Sequence, residues 1–201
     1  IQMGCGRTGG FFSFEQAGLR PDVVCLSKSI SGFGLPFALT LFRPELDVWS
    51  PGEHNGTFRG HNLAFVTGAA ALEQFWSSEA LMSDVSSKSA LVEQSFQKIA
   101  ARHDGQVRGR GFVYGVAFDD HRIAGAASRA AFDKGVVIET SGAHDEVLKF
   151  LAPLTIEQDQ LREGLDVLES AVAEVVRRGV NGKATRARPL PLADSRMEAQ
   201  L

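Results

Sequence analysis

One stretch of the sequence decides the fold, Val23-Val24-Cys25-Leu26-Ser27-Lys28-Ser29-Ile30-Ser31-Gly32-Phe33-Gly34-Leu35-Pro36. Its apolar run, Val23 to Leu26, predicts a short buried strand, and a second apolar run from Leu35 to Phe42 predicts another. Lys28 follows the first run in a loop of serine and glycine. This pattern, with helices predicted further along, indicates an α/β fold in which Lys28 stands at a strand end and faces a cavity.

Lys28 has two interpretations. At the end of a buried strand, desolvation disfavours the charged form of a lysine. A partly neutral amine is what Schiff-base chemistry with an aldehyde requires. Alternatively, Lys28 points out of the strand end into water, and the local pattern alone favours this second interpretation.

The composition is that of an ordinary globular protein, with 201 residues, 44% hydrophobic and 22% charged. The net charge of −3, with acids and bases interspersed, argues against a nucleic-acid partner or an anionic membrane. No apolar run reaches the ~20 residues of a membrane span, and no secretory signal is visible. Cys5 and Cys25 provide neither a disulfide framework nor metal-ligand spacing. We therefore expect a cytoplasmic protein without a metal site.

The chain begins with Ile1-Gln2-Met3 and at once enters a glycine loop, Gly4 to Gly9. Such a start is typical of the end of a strand, and we interpret the sequence as the C-terminal fragment of a longer protein. The loop matches the G-x-G-x-x-G pattern of dinucleotide sites, which requires a following helix. Aromatic residues without helical period follow instead. We expect a tight turn that crosses a cofactor or a subunit surface.

A polar, glycine-rich loop, residues 51–62, precedes an alanine-rich helix predicted from Leu63 to Phe75. Its hydroxyl and backbone N–H groups suit an anion, most simply a phosphate. Alternatively, it is an ordinary capping loop with Asn62 as the N-cap. The local pattern does not separate these two interpretations.

The remaining pattern predicts an α+β module and a polar tail. Helices are predicted over residues 78–101, 124–133 and 157–177, and strands within 107–118, 136–139 and 147–151. We predict three regions: residues 1–77 as the C-terminal part of a large domain with a parallel sheet, 78–178 as a small α+β C-terminal domain, and 179–201 as a disordered tail.

Taken together, these stretches resemble the class III aminotransferases. The family patterns are Gln-x-Gly-x-Gly-Arg-Thr-Gly, Pro-Asp before an apolar run and Ser/Thr-Lys, Gly-Thr-Phe-x-Gly-Asn, Arg-Gly-x-Gly and Pro-Leu-x-Ile. They match or nearly match residues 2–9, 21–28, 56–62, 108–111 and 153–156. Their order and spacing agree from Ile1 to about Arg178.

The resemblance implies a pyridoxal 5'-phosphate enzyme of fold type I, acting on an amino acid and a 2-oxo acid. Lys28 would bind the cofactor aldehyde covalently and then shuttle the proton at the substrate carbon. Gln2 would lie beside the pyridine ring, near its phenolic oxygen. Thr57 would bind the phosphate of the neighbouring subunit's cofactor, so each site would be completed across a homodimer or higher homo-oligomer.

The resemblance also implies where this chain departs from the family's active-site pattern. The family's aspartate that pairs with the pyridinium nitrogen, its own-subunit phosphate loop and its ring-stacking aromatic all precede the position of Ile1. We therefore expect this segment alone to be inactive. Lys149 stands where many relatives have an arginine that binds the substrate carboxylate. Because lysine offers a point charge in place of a bidentate fork, Lys149 is a weaker candidate for that role.

Finer similarities point to one branch of the family, whose amino donor is a short diamino acid. They lie in residues 4–18, 29–38, 43–49, 55–65, 138–142 and 162–169. Two alternatives stay open: another donor, such as ornithine or 4-aminobutyrate, and an inactive chain that only dimerises.

Overall fold

A computed structural model describes residues 1–32 and 34–179. The disordered tail predicted for residues 179–201 lies outside this part of the chain, apart from Gly179. The elements in chain order are β1 (Val23–Ser27), β2 (Ala38–Phe42), α1 (Asn62–Phe75), α2 (Ala80–Arg102), β3 (Gln106–Arg110), β4 (Val113–Ala117), α3 (Arg122–Phe132), β5 (Glu139–Ser141), β6 (Val147–Phe150) and α4 (Gln158–Arg178).

The first sheet is an antiparallel pair of β1 and β2, with Val23 opposite Phe42 and Ser27 opposite Ala38. The mixed α/β class is as predicted. The parallel arrangement predicted for residues 1–77 is wrong for the described residues, because β1 and β2 are joined only by residues 28–37. A parallel pair needs a crossover of about a dozen residues or more. The second strand also begins at Ala38 and not at Leu35.

The prediction that β1 is buried is also wrong for most of its length. Leu26 is buried, whereas Val23 is 49% exposed. Leu26 packs with Cys5 and Ile30 in a small core. The hydrophobicity of β1 predicted burial, but within the described residues no layer covers the outer part of this strand pair.

Helix α1 holds the loop that follows β1. A Cβ on Gly32 would lie 2.5 Å from the Cβ of Ala71, so only glycine allows this contact between loop and helix. The helix begins at Asn62 with His61 as its N-cap, since His61 Nδ1 accepts a hydrogen bond from Ala64 N at 3.3 Å. Asn62 is therefore not the N-cap, because the neighbouring imidazole supplies the acceptor that the free N–H groups require.

Residues 80–178 contain a four-stranded antiparallel sheet in the order β3-β4-β6-β5, with α2 and α3 packed on it and α4 packed against these two helices. Alternate residues of β4 and β6, among them Val116 and Leu148, are buried in one core with residues of all three helices, such as Phe96 of α2. The predicted helices and the α+β arrangement are confirmed. The domain division at residues 77 and 78 stays a prediction.

The strand predicted for residues 136–139 begins only at Glu139. Val137 is 85% exposed, and the Ile138 carbonyl accepts a hydrogen bond from Ser128 Oγ at 2.6 Å. This carbonyl is therefore used by a side chain of α3 and not by a neighbouring strand. Among the described residues, no helix combines the length and apolarity that crossing a bilayer requires.

Candidate active site

Lys28 comes directly after β1 and opens a single 3-10 turn, Lys28–Ser31. Its φ is 54°, in the left-handed region, which costs an L-residue other than glycine about 1–2 kcal/mol. Such a conformation persists only where the surroundings fix it, and it is enriched at functional sites. Here Ser27 Oγ donates to Phe37 O at 2.8 Å, and the side chain of Ile30 is fully buried. These contacts fix the chain on both sides of Lys28.

The side chain of Lys28 is exposed in the described part of the chain, which agrees with the second of its two interpretations. The neighbours Ser27 and Ser29 are small, and neither is buried. Lys28 nevertheless lines a cavity, as predicted.

The Lys28 cavity has a volume of about 590 Å³, within the ~300–1,000 Å³ range of small-molecule sites. Its walls combine serine hydroxyls and backbone from the loop after β1, aromatic side chains at the end of α1, and the segment Pro153–Thr155. Trp76 is one of the aromatic residues. Its Nε1 is buried without a hydrogen-bond partner among the described residues.

Arg7 is a second cation in this cavity. Its Nη1 donates to Phe112 O at 3.1 Å and to Ala152 O at 2.5 Å, and among the described residues it has no carboxylate partner. Desolvation by burial lowers the pKa of the Arg7 guanidinium. The glycine loop that the sequence predicted to cross a surface is therefore anchored to the four-stranded sheet.

Gln2 and Lys149 lie together, although 147 residues separate them in sequence. Lys149 Nζ donates to Gln2 Oε1 at 3.2 Å and forms an ion pair with Glu139 Oε1 at 3.3 Å. This pair does not line the Lys28 cavity, and Lys149 lines a separate cavity of about 610 Å³ over the open face of the sheet. The charge of Lys149 is thus partly compensated before any carboxylate binds.

Thr57 lies in an exposed loop ahead of α1. Its neighbour Phe58 is 98% exposed, and Thr57 does not line the Lys28 cavity. Among the described residues, the structure therefore does not bring Thr57 to Lys28 within one chain.

Arg7 and Trp76 were missed as site residues by the sequence analysis. Arg7 stands inside the glycine motif, so the motif itself was the signal. Trp76 follows directly after α1, and the sequence holds no pattern that marks its buried, unpaired Nε1.

Comparison with known proteins places these features in a family. The profile described as aminotransferase class-III matches residues 1–172. The chain is 55% identical over 176 residues to a diaminobutyrate–2-oxoglutarate transaminase of Nocardia farcinica, covering 87% of this chain and 40% of that protein. The protein of the same name from Bordetella parapertussis is 55% identical over 180 residues, covering 88% and 41%.

A solved structure agrees with the sequence relatives. The N-acetylornithine aminotransferase of Stenotrophomonas maltophilia superposes with a TM-score of 0.76 at 29% identity, covering 89% of this chain and 47% of that one. The chain thus spans about two fifths of the length of the curated relatives. Because the family profile covers most of the sequence, the resemblance is confirmed: the chain belongs to the class III aminotransferases, pyridoxal-phosphate enzymes of fold type I.

Proposed function

We propose that the protein carrying this chain is an aminotransferase that interconverts L-2,4-diaminobutyrate and 2-oxoglutarate with L-aspartate 4-semialdehyde and L-glutamate. The observation that carries the proposal is Lys28, held in a left-handed turn at the end of β1 and lining a cavity of about 590 Å³. The names of relatives at 55% identity support the choice of substrates.

The described residues fit pyridoxal phosphate as the cofactor. The cavity is lined by Lys28, which carries a primary amine, by several serines and by the aromatic residues Phe75 and Trp76. When bound, pyridoxal phosphate supplies an electron sink for the bond that breaks at the substrate carbon. The protein contributes position, hydrogen bonds and proton transfer.

Lys28 has two tasks in this proposal. Its amine binds the cofactor aldehyde when no substrate is present. When that amine is free, Lys28 Nζ would accept a proton at the substrate carbon and return one there. The exposed position of Lys28 supports this exchange, since the amine has room to move between the two tasks.

Three further residues have proposed binding roles that rest on the family motifs. Gln2 would hold the cofactor ring, and its hydrogen bond from Lys149 brings a cation beside it. Lys149 attracts a substrate carboxylate as a point charge, in competition with Glu139. Thr57 binds the phosphate of the partner subunit's cofactor, and its exposure in one chain supports a role at a subunit interface.

The donor is proposed to be diaminobutyrate in preference to ornithine or 4-aminobutyrate. The relatives named for diaminobutyrate are 55% identical, whereas the solved N-acetylornithine aminotransferase is 29% identical. The resemblance further supports ectoine biosynthesis as the pathway and the cytoplasm as the location.

We also propose a homodimer and a division into a large-domain part, residues 1–77, and a small domain, residues 78–178. Exposed apolar side chains on α1 support the interface, with Leu63 at 66% and Val66 at 67% exposure. Sedimentation or light scattering of the purified protein tests the assembly, because a monomer at micromolar concentration would contradict it.

The test of the function is a glutamate-formation assay with the purified protein that carries this chain, pyridoxal phosphate and 2-oxoglutarate. Diaminobutyrate, ornithine and 4-aminobutyrate are compared as donors at equal concentration, and kcat/KM is expected to be highest for diaminobutyrate. Lys28→Ala is expected to abolish activity, whereas Lys98→Ala, a surface control on α2, retains it. Activity in the Lys28→Ala variant, or a preference for another donor, would refute the corresponding part of the proposal.

A further inference from the structure

The segment between β6 and α4 forms a wall of the Lys28 cavity without being part of a helix or strand. Pro153, Leu154 and Thr155 line the cavity, and the segment's one internal backbone hydrogen bond in the described structure runs from Ile156 N to Pro153 O at 3.1 Å. A segment with so little backbone pairing of its own must be held by other groups.

Lys88 of α2 supplies two of these contacts. Its Nζ donates to Leu154 O at 2.9 Å and to Ile156 O at 2.8 Å. The side chain is only 3% exposed, and its ion-pair partner Asp84 is 55% exposed. Lysine is among the residues that are almost never fully buried unless paired. Here the buried ammonium is directed at the carbonyls of this segment.

Arg7 supplies the contact at the other end of the segment. Its Nη1 donates to Ala152 O at 2.5 Å, so the carbonyls of Ala152, Leu154 and Ile156 all accept from a cationic side chain. Hydrogen bonds to an ionised donor are roughly twice as strong as neutral ones.

Phe112 connects the two cations. Its carbonyl accepts from Arg7 Nη1 at 3.1 Å, and its ring lies 5.8 Å from Lys88 Nζ. Phe112 N also donates to Arg7 O at 2.7 Å, and the ring is fully buried in the main core. The two cations therefore share one rigid support.

We propose that Arg7 and Lys88 are positioning residues that clamp residues 152–156 from both ends and so fix this wall of the Lys28 cavity. That the cavity is the catalytic site rests on the proposed function. Lys88 does not line the cavity, so it acts on the site only through the segment. Arg7 lines the cavity. If it acts as part of the clamp, substitutions of Arg7 and of Lys88 are expected to change the segment and the activity in the same way.

The test is hydrogen–deuterium exchange of peptides covering residues 151–157, measured on the protein without substrate. Lys88→Met and Arg7→Met are expected to raise exchange at the amide of Ile156, the hydrogen-bonded N–H of this segment, because a lost charge-assisted hydrogen bond corresponds to about ten-fold or more in an opening equilibrium. Lys98→Met is the matched control, since Lys98 lies on the same helix and pairs with Glu169. It is expected to leave the segment unchanged.

Kinetics of the same variants supply the second readout. Lys88→Met is expected to lower kcat about ten-fold or more, while the visible absorbance of bound pyridoxal phosphate is retained. Arg7→Lys is expected to recover part of the loss in Arg7→Met, because one amine can still reach one carbonyl.

Unchanged exchange in the segment, relative to Lys98→Met, would overturn the proposal. So would an Arg7→Met variant that raises only KM for a carboxylate substrate while the segment stays protected, since Arg7 would then bind substrate directly. If Lys88→Met does not fold, the exchange of residues 151–157 is compared between Arg7→Met and Arg7→Lys. Equally slow exchange in these two variants contradicts the clamp. The exchange readout needs no activity, so failure of the proposed reaction and failure of the clamp are distinguished.

Discussion

The left-handed backbone at Lys28 predicts an unusual order of stability among variants that lack its side chain. Lys28→Gly is expected to be more stable than Lys28→Ala, although glycine normally destabilises. The reason is the φ of 54°, which burdens alanine through its Cβ but not glycine.

The magnitude follows from two opposing contributions. Glycine relieves a conformational cost of about 1–2 kcal/mol and loses about 0.4–1 kcal/mol through the greater freedom of the unfolded chain. The net difference is about 1 kcal/mol in favour of Lys28→Gly, which is about 2–4 °C in Tm for a domain of this size. Urea and thermal unfolding of both variants without cofactor measure it.

Lys98 provides the matched control, because it lies within helix α2. There glycine is expected to be less stable than alanine by about 1 kcal/mol, so the sign reverses between the two lysines. If Lys28→Ala equals or exceeds Lys28→Gly in stability, Lys28 is not held in a costly conformation and the inference from its backbone fails.

Three further predictions concern other parts of the chain. Thr57→Ala is expected to weaken cofactor binding ten- to hundred-fold, the equivalent of about 1.5–3 kcal/mol for one hydrogen bond to a charged group; unchanged retention on dialysis would indicate an ordinary capping loop. Gly111→Ala is expected to destabilise the protein by about 1–3 kcal/mol in urea unfolding. The alanine Cβ would lie 2.5 Å from the backbone carbon of Thr8, and the φ at this position is +57°. If the variant is as stable as the wild type, the glycine loop does not pack there. Hydrogen bonds from Arg122 lower the pKa of Asp120 to about 2 from its usual 3.8. The stability that this carboxylate contributes is therefore present above about pH 4 and is lost as the pH falls toward 2. A carboxyl NMR titration midpoint near 3.8, or an Asp120→Asn variant with the same acid sensitivity as the wild type, would contradict this.

The helices were predictable because their signals are local. The alanine-rich run before Phe75 and the amphipathic period of α4 place both helices to within one residue of the structure. Lys28 was equally accessible, since an apolar run followed by serine and glycine marks a strand end. The exposure of β1 could not be predicted, because the burial of a strand depends on what covers it and not on its own hydrophobicity.

The contacts of Arg7 and Lys88 with residues 152–156 could not be predicted from local sequence patterns. Arg7 and Ala152 are 145 residues apart, and Lys88 and Leu154 are 66 apart. Lys88 also follows Asp84 by four residues, a spacing typical of an exposed helical ion pair. Nothing in this spacing distinguishes a surface lysine from one that is buried and bonded to two distant carbonyls.

In the proposed function, Lys28 is the residue that binds pyridoxal phosphate. The most direct test of this role is to incubate the purified protein with the cofactor, make the bond permanent with borohydride, and map the modified lysine by peptide mass spectrometry. A phosphopyridoxyl group is expected on Lys28, together with loss of the visible absorbance band on reduction. Modification of another lysine, such as Lys149, or no stoichiometric modification at all, would contradict it.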